Sequence, residues 1–433
     1  MYAIDWVFLL NRKARISQEN VAGAGTGRAS AKSALRPVVS RTVWALGVTS
    51  LLTDISSEMV GSILPVYLVL HLGLSPLAFG VVDGIYQGAA ALVRVVSGVL
   101  SDRWRRHKEM AATGYALSAA CRVLILAAGT AWSTIAAVVA VDRLGKGIRT
   151  APRDALISQR TPKESLASAF GVHRSMDAAG AMFGPILAFG LLAAMPGGFD
   201  VLFVTSFGIA VLGVGAIALF VPARLEEDRT VGTRSVSLRS TAALLAESRF
   251  RALVLSGFSL GIATISDSFI FLILQRRLDL GATAFPLLYV GTSLFTSLLA
   301  IPCGRLADRI GRRRVMLGGY VVLAGLYALL AGVPSGGLAL AGLTLALLGM
   351  YYAATEGVLT AMAAAVLPES HSGAGLAVLA TATNVARLVA SVGFGWLWTV
   401  AGLESATAMG FVALTAAIIA SAVTLKSAER DGI

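Results

Sequence analysis

This sequence has few charged residues and few of the residues that build metal or covalent sites. Only 14% of its 433 residues are charged, and it holds two cysteines and four histidines. Cys121 and Cys303 lie in apolar segments, so they indicate neither a disulfide framework nor a metal site. There is no Walker-type phosphate loop and no His-Glu-x-x-His motif. We therefore expect neither ATP-driven pumping nor zinc chemistry, and no metal or cofactor.

Hydrophobic residues, by contrast, make up 56% of the chain and are gathered in long runs. A bilayer core about 30 Å thick needs roughly 20 apolar residues per helix, whereas barrel strands are about ten residues long and alternate. The sequence therefore predicts an all-α integral membrane protein with twelve transmembrane helices, at residues 42–70, 76–101, 109–129, 132–157, 167–192, 200–221, 250–275, 284–303, 314–333, 337–365, 374–400 and 405–425.

The net charge of +12 raises the question of nucleic-acid binding. The basic residues, however, are concentrated in the N-terminal tail and in alternate loops. This is the pattern of cytoplasmic segments, with Arg276 and Arg277 as the exception. It predicts a protein of the lipid bilayer that has both termini in the cytoplasm and no nucleic-acid partner.

An internal repeat divides the chain. The string GVLSDRWRRHK begins at Gly98 and the string GRLADRIGRRR begins at Gly304. The same separation carries Pro162, after the fourth predicted helix, to Pro368, after the tenth. We therefore expect two related halves of six helices each.

The predicted domain boundaries follow from this repeat. The two six-helix bundles are expected at 42–221 and 250–425, joined by a cytoplasmic linker at 222–249. Residues 1–41 and 426–433 are expected to be cytoplasmic tails, the first of them disordered.

The repeated string resembles the signature loop of the major facilitator superfamily, Gly-x-Leu-Ala-Asp-Arg-x-Gly-Arg-Arg/Lys, although the first copy has Arg105 where the family has its second glycine. The resemblance implies two pseudo-symmetric bundles around a central cavity that opens alternately to each side of the membrane. The loops are then candidate conformational latches, or basic clusters that only enforce topology. The matching residues are Gly98, Asp102, Arg103, Arg106, Gly304, Asp308, Arg309, Gly311, Arg312 and Arg313.

The fourth predicted helix carries six charged residues between Asp142 and Asp154. At 100° per residue they occupy roughly 140° of arc, so this face must meet a cavity, a partner helix or water rather than lipid. The segment resembles the Leu-xxx-Arg-xx-Gln-Gly motif of superfamily exporters, with Arg143 matching and Lys146 in place of Gln. We expect Arg143, Lys146 and Arg149 to contact the solute.

The fifth predicted helix contains Gly180, Gly184 and Pro185 in the string GAMFGP, which resembles the Gly-xxx-Gly-Pro motif of antiporters. Small residues four apart also permit ordinary close packing of helices, which is the structural interpretation of the same pattern. His173 and Asp177 share this face. A histidine beside a carboxylate either exchanges a proton near neutral pH or makes a structural hydrogen bond.

Further charged residues fall inside predicted spans. Asp54 and Glu58 lie four residues apart on one face of the first helix. Two such carboxylates suit proton exchange or binding of a cation, unless the arginines of the fourth helix pair with them. The set of candidate coupling residues is completed by Arg94 in the second helix and by Asp267, Glu356 and Arg387 in the second half.

These features predict a secondary active transporter and not an enzyme. We expect proton-coupled antiport, and hence efflux, of a small organic solute by alternating access, by a monomer in a bacterial inner membrane. Proton-coupled uptake or uniport of an anionic or zwitterionic metabolite is the alternative, and a membrane-embedded enzyme or a sensor is a remote one.

The charge of the solute depends on how the acids and bases pair. The basic surplus on the fourth helix favours an anionic or zwitterionic solute, with Asp54, Glu58 and Asp177 as proton carriers. If the acids and bases instead pair with each other, a hydrophobic or cationic solute is favoured.

Overall fold

The fold is known from a computed structural model, which describes residues 40–104, 106–162, 165–222, 244–332, 337–367 and 372–430. The predicted N-terminal tail and most of the predicted linker lie outside the described residues. The helices are α1 Arg41–Val66, α2 Pro76–Trp104, α3 His107–Ala127, α4 Trp132–Gln159, α5 Leu166–Ala194, α6 Phe199–Phe220, α7 Ser248–Ile262, α8 Asp267–Leu278, α9 Pro286–Ile310, α10 Arg312–Gly332, α11 Gly337–Val366 and α12 Ser372–Arg430.

The helices follow the predicted spans with two differences. The seventh predicted span is two helices, because the chain leaves helical geometry between Ile262 and Asp267 before α8 begins. The last two predicted spans are continuous as α12, whose 59 residues are far more than one bilayer crossing needs. This helix reaches Arg430, so the predicted tail at 426–433 is helical for most of its length.

The chain folds back within α12 at Gly402. Its φ of 81° and ψ of 169° suit glycine, which has no Cβ to clash. Both arms of α12 lie against α7. Ser421 Oγ is 3.2 Å from Ser259 Oγ, and a Cβ built on Gly257 would lie 3.2 Å from the Thr383 methyl group. The two arms therefore account for the eleventh and twelfth predicted spans.

Eight helical stretches among the described residues are long and apolar enough to cross a membrane, with α7 to α8 and most of α12 each counted once. Three long helices of the first half, α1, α2 and α4, are not among them. They carry charged side chains that the fold buries, including Asp54, Asp83 and Arg143. The three helices of the first half that are not apolar enough by this measure thus each contribute buried charge to the interior.

The two halves use equivalent helix pairs. In the first half α4 packs against α2 and α3, and in the second half α11 packs against α9 and α10. In addition, α1 packs against α5 and α6, and α12 against α7 and α10. Buried side chains such as Ile63, Phe203, Phe271, Leu323 and Leu348 form the apolar core.

The halves meet along α2 and the first arm of α12, a contact that we call the seam. A Cβ built on Gly80 would lie 2.6 Å from the Ser391 carbonyl oxygen, and one on Gly84 would lie 2.9 Å from that of Leu388. The Leu77 N–H donates to Thr399 Oγ1 at 3.1 Å. Glycine at these positions therefore lets the two backbones touch.

The seam lies toward one end of the molecule, which we call the closed end. At this end Thr283 also donates to the Leu192 carbonyl at 3.4 Å, which joins the segment before α9 to α5. The other end, where Arg106 precedes α3 and Arg312 begins α10, is called the basic end. Over the described residues α4 and α11 are not packed against each other there.

Replacing Gly84 by Val should separate the halves at the closed end. A β-branched side chain overlaps the Leu388 carbonyl and cannot be accommodated without moving α2 away from α12. Spin labels at Ser75 and Val400 are expected to give a longer and broader distance distribution in the variant. Gly393→Val is the matched control, because a Cβ at Gly393 meets no atom within 4 Å. An unchanged distribution in Gly84→Val would contradict this account of the seam.

Candidate functional site between the two halves

The face of α1 that carries Asp54 and Glu58 packs directly against two glycines of α5. A Cβ built on Gly180 would lie 2.9 Å from Asp54 Cβ, and one on Gly184 would lie 2.8 Å from Glu58 Cβ. The glycines of the GAMFGP string, followed by the buried Pro185, thus bring the α5 backbone directly onto the two turns of α1 that carry acids. The α5 motif therefore fixes the position of both carboxylates.

Asp142 of α4 holds two arginines in a buried ion triad. Its Oδ1 accepts from Arg122 of α3 at 3.0 Å and its Oδ2 from Arg143 at 2.6 Å. Arg122 also donates to Ser57 of α1 at 2.9 Å. All three charged side chains are at most 5% exposed. Through these bonds, this part of the polar face of α4 is joined to α1 and α3.

Arg149, two turns further along α4, is also buried between helices. It donates to Ser118 of α3 at 3.1 Å, lies over the Tyr115 ring at 4.8 Å, and is 3.8 Å from Asp54 of α1. The candidate proton carrier Asp54 thus has a cationic partner in this conformation, as the pairing alternative anticipated.

A second polar cluster joins α4 to α5 and α1. Arg153 lies 3.0 Å from its neighbour Asp154 and 3.7 Å from Asp177, and it donates to Ser50 of α1 at 3.0 Å. His173 is 1% exposed, and its Nε2 is 3.6 Å from Asp177. That distance is too long for a good hydrogen bond, so His173 and Asp177 form a loose buried pair rather than a tight structural one.

The two halves enclose a central chamber of about 60 Å³. Three acids from three helices line it: Glu58 of α1, Asp83 of α2 and Asp267 of α8. Aromatic and polar side chains complete the wall, among them Phe79, Tyr86, Gln87, Ser268 and Tyr289. Over the described residues no group of three or more His, Cys, Asp or Glu is arranged to hold a metal ion. The chamber therefore combines carboxylates with aromatic surface.

Arg143 and Arg149, which we expected to contact the solute, lie outside the chamber wall in this conformation. Neither residue lines the chamber, and both are buried in the contacts described above. The Arg143 guanidinium lies 3.8 Å from the centre of the Tyr86 ring, and Tyr86 is the residue that faces the chamber. An aromatic ring thus separates the buried cations from the central space.

Glu58 and Lys146 differ from these paired charges. Both are partly exposed, and neither makes a hydrogen bond or ion pair with the residues that the structure describes. Glu58 lines the chamber, one turn of α1 from the paired Asp54. It is therefore a carboxylate that both a proton and a solute can reach.

The chamber acids of the other helices are tied to the second half. Ser391 of α12 donates to Asp83 Oδ2 at 2.5 Å, across the seam. Tyr352 of α11 donates to Asp267 at 2.5 Å. Asp267 is one of the coupling residues predicted from the sequence, whereas Asp83 is not among them. The polar face that Asp83 shares with Gln87 was the available signal, since an acid inside a span is a functional candidate by default.

Glu356 and Arg387 bring α11 and α12 together beside the central space. Arg387 lies 3.6 Å from Glu356, and their side chains are 29% and 16% exposed. Partial exposure of a charged pair in the middle of long helices indicates water between the bundles. The two residues predicted in the second half thus lie together, as an ion pair.

The latch residues are only partly described. The surroundings of Gly98 and the side chains of Arg94, Asp102 and Arg103 are outside what the structure describes, and Arg106 is exposed. In the second copy, Asp308 at the end of α9 lies 3.8 Å from Arg312 at the beginning of α10, and both side chains are well exposed. Arg309 beside them is also exposed, and Gly304 lies earlier on α9. Gly311 has φ of 100°, a conformation that requires glycine between α9 and α10.

One serine has the Gly-x-Ser-x-Gly spacing of a hydrolase nucleophile, in GFSLG at 257–261. It lies inside α7 rather than at a strand-to-helix turn, which that motif requires. Ser259 donates to the Ser256 carbonyl at 3.2 Å and contacts Ser421. The serine therefore serves helix packing.

Comparison with known sequences agrees with this architecture. The family model described as Major Facilitator Superfamily matches residues 46–292 and 253–432. An uncharacterised MFS-type transporter of Methanocaldococcus jannaschii is 30% identical over 371 residues, which cover 84% of this chain and 89% of that protein. An uncharacterised protein of Mycobacterium tuberculosis is 38% identical over 162 residues, 37% of this chain and 39% of its own.

Solved structures share the fold at low identity. A nucleoside transporter superposes with a TM-score of 0.75 at 14% identity, over 88% of this chain and 99% of its own. A peptide transporter superposes with a TM-score of 0.71 at 16% identity, over 96% of this chain and 98% of its own. At such identities the likeness extends to the fold alone.

Proposed function

This chain belongs to the major facilitator superfamily and is a multi-pass membrane transporter rather than an enzyme, and we propose that it exchanges protons for a small organic cation. The observation that carries the proposal is the position of Glu58. It is an acid without a hydrogen bond or ion pair to the described residues, on the wall of a chamber between two bundles.

Competition for one carboxylate is enough to couple the two movements. A cation that enters the chamber is stabilised by ionised Glu58, whereas a proton on Glu58 removes that charge. Solute and proton then bind alternately, which is the requirement for antiport. Asp54 cannot take this role in the present conformation, because Arg149 lies 3.8 Å away and both are buried.

The charge of the solute follows from the chamber wall. Glu58, Asp83 and Asp267 line the chamber, while Arg122 and Arg143 are paired with Asp142, and Tyr86 separates Arg143 from the chamber. Aromatic faces such as that of Tyr289 add affinity for organic cations. This arrangement favours the cationic solute over the anionic or zwitterionic one that the basic surplus of α4 suggested.

The direction of exchange is inferred from the open end. Contacts between the halves lie at the closed end, and basic loops mark the other end as cytoplasmic by the positive-inside rule. The conformation described is then the inward-facing one. Partly exposed Lys146, Glu356 and Arg387 would line the path from the cytoplasm. With protons entering down their gradient, the solute is exported.

Proteoliposomes test this exchange. With the interior more acidic than the medium, the labelled organic cation 1-methyl-4-phenylpyridinium should accumulate inside, approaching about tenfold per pH unit for one-for-one exchange. A labelled aromatic anion, a nucleoside and a dipeptide serve as matched probes and should not accumulate. Collapse of the proton gradient with nigericin should stop cation accumulation.

Each of the other possible results would overturn one part of the proposal. Cation uptake that ignores the gradient would remove proton coupling and leave uniport. Accumulation only when the exterior is the acidic side would indicate symport and thus uptake. Gradient-driven movement of the anion but not of the cation would overturn the assignment of solute charge while retaining coupled transport.

A further inference from the structure

A larger cavity of about 750 Å³ lies at the basic end of the second half, away from the central chamber. It is bounded by the beginning of α7, the α9–α10 loop and the ends of α11 and α12. None of its lining residues belongs to the chamber. The proposed transport cycle therefore gives this cavity no role.

Its rim is strongly basic. Among the described residues that line it, four are arginines, Arg249 from α7 and Arg312, Arg313 and Arg314 from the first turn of α10, and one is an acid, Asp308. Two of the four donate to uncharged carbonyls: Arg312 to Ala361 at 3.1 Å and Arg314 to Ile310 at 3.3 Å. Arg312 also pairs with Asp308 at 3.8 Å. Four cations against one acid leave the described lining residues with a positive surplus.

The beginning of α10 adds to this field. The arginines occupy the N-terminus of a helix of 21 residues, where unpaired backbone N–H groups and the helix dipole favour an anion. A planar guanidinium matches the oxygens of a phosphate group in particular. The rim therefore has the chemistry of a site for a phosphate oxyanion.

The floor of the cavity is apolar. Leu253 and Leu425 are buried lining residues, and Met362 lies with them. Ile310 both lines the cavity and is 45% exposed on the outer surface of α9, next to Leu306 at 47%. The apolar surface of the cavity thus continues onto residues placed to meet lipid chains.

From this combination we infer that the cavity binds an anionic phospholipid. Its phosphate lies among Arg249 and the arginines of α10, and an acyl chain lies over the apolar floor toward Ile310. Basic pockets between helix ends on the cytoplasmic side are suited to such head groups, since each nearby arginine contributes attraction at the membrane surface. A free phosphate would use the rim alone and leave the floor empty.

Native mass spectrometry of the purified full chain, titrated with phosphatidylglycerol, tests the inference. The wild-type protein should retain the lipid, and Arg249→Gln/Arg313→Gln should bind it about thirtyfold more weakly, from the loss of two surface charges. Arg276→Gln/Arg277→Gln at the closed end is the matched control and should bind as the wild type does. Arg249→Lys/Arg313→Lys keeps the charge and should retain most of the binding.

Two further arms separate the sources of the phosphate. Phosphatidylcholine with the same chains should not compete, and inorganic phosphate should displace the lipid only weakly. Equal retention by the Gln and control variants, or equal binding of phosphatidylcholine, would overturn the site. Displacement by inorganic phosphate at concentrations similar to those of the lipid would assign the cavity to a free oxyanion and overturn the lipid.

Discussion

Glu58→Gln is expected to abolish gradient-driven accumulation of an organic cation, a loss of at least about a hundredfold in coupled rate. Glutamine keeps the shape of the side chain but can neither release a proton nor balance the charge of the solute. The measurement is cation uptake into proteoliposomes with and without an imposed proton gradient. The fold should be unaffected, because Glu58 makes no ion pair with the described residues whose loss would leave a buried charge.

The control for Glu58 is Glu109→Gln, which removes an exposed carboxylate in the first turn of α3. That variant should transport as the wild-type protein does. If Glu58→Gln still concentrates the cation when the gradient is applied, the coupling proton is carried elsewhere. The chamber acids Asp83 and Asp267 would then be the residues to test.

Asp142→Asn is expected to destabilise the protein by about 3–5 kcal/mol, because it leaves two buried guanidinium groups without a carboxylate. Asparagine can satisfy some donors of Arg122 and Arg143 but cannot neutralise either charge. The thermal unfolding midpoint in detergent and the yield of folded protein both measure this loss. Asp308→Asn removes an acid of an exposed pair and should change the midpoint little.

A triple variant tests whether the defect of Asp142→Asn comes from uncompensated buried charge. Replacing Asp142 by Leu and both arginines by Met removes all three charges together, and buried ion pairs replaced in this way often lose no stability. Recovery of the unfolding midpoint would show that the defect of Asp142→Asn is the uncompensated charge. A midpoint as low as that of Asp142→Asn would contradict this explanation.

Sequence periodicity predicted which side chains share a helix face, but not which helix they meet. The charges of the fourth span lie on its inward face as expected, yet Asp142 pairs with Arg122 from α3 as well as with its neighbour Arg143. Angular position along one helix carries no information on the rotation of the helix beside it. Hence the sequence left open whether the arginines meet a solute or an acid.

The contacts between the two halves could not be predicted from the sequence. The repeat and the basic loops predicted two six-helix bundles, because those signals are local or periodic. The bond between Asp83 and Ser391 joins residues 308 positions apart and depends on how α2 and α12 cross. Gly80 and Gly84 indicate in the sequence that another backbone approaches α2 closely. Glycines alone do not identify which helix that is.

The buried triad has a consequence for biogenesis. An arginine at the centre of an isolated helix costs about 2.5–3.5 kcal/mol on insertion into the bilayer, and α3 carries Arg122 before α4, which supplies Asp142, has been synthesised. The helices α1, α2 and α4 are also less apolar than ordinary spans. The first half should therefore leave the translocon as a group, held at its lateral gate until the fourth helix emerges and Asp142 can pair with Arg122.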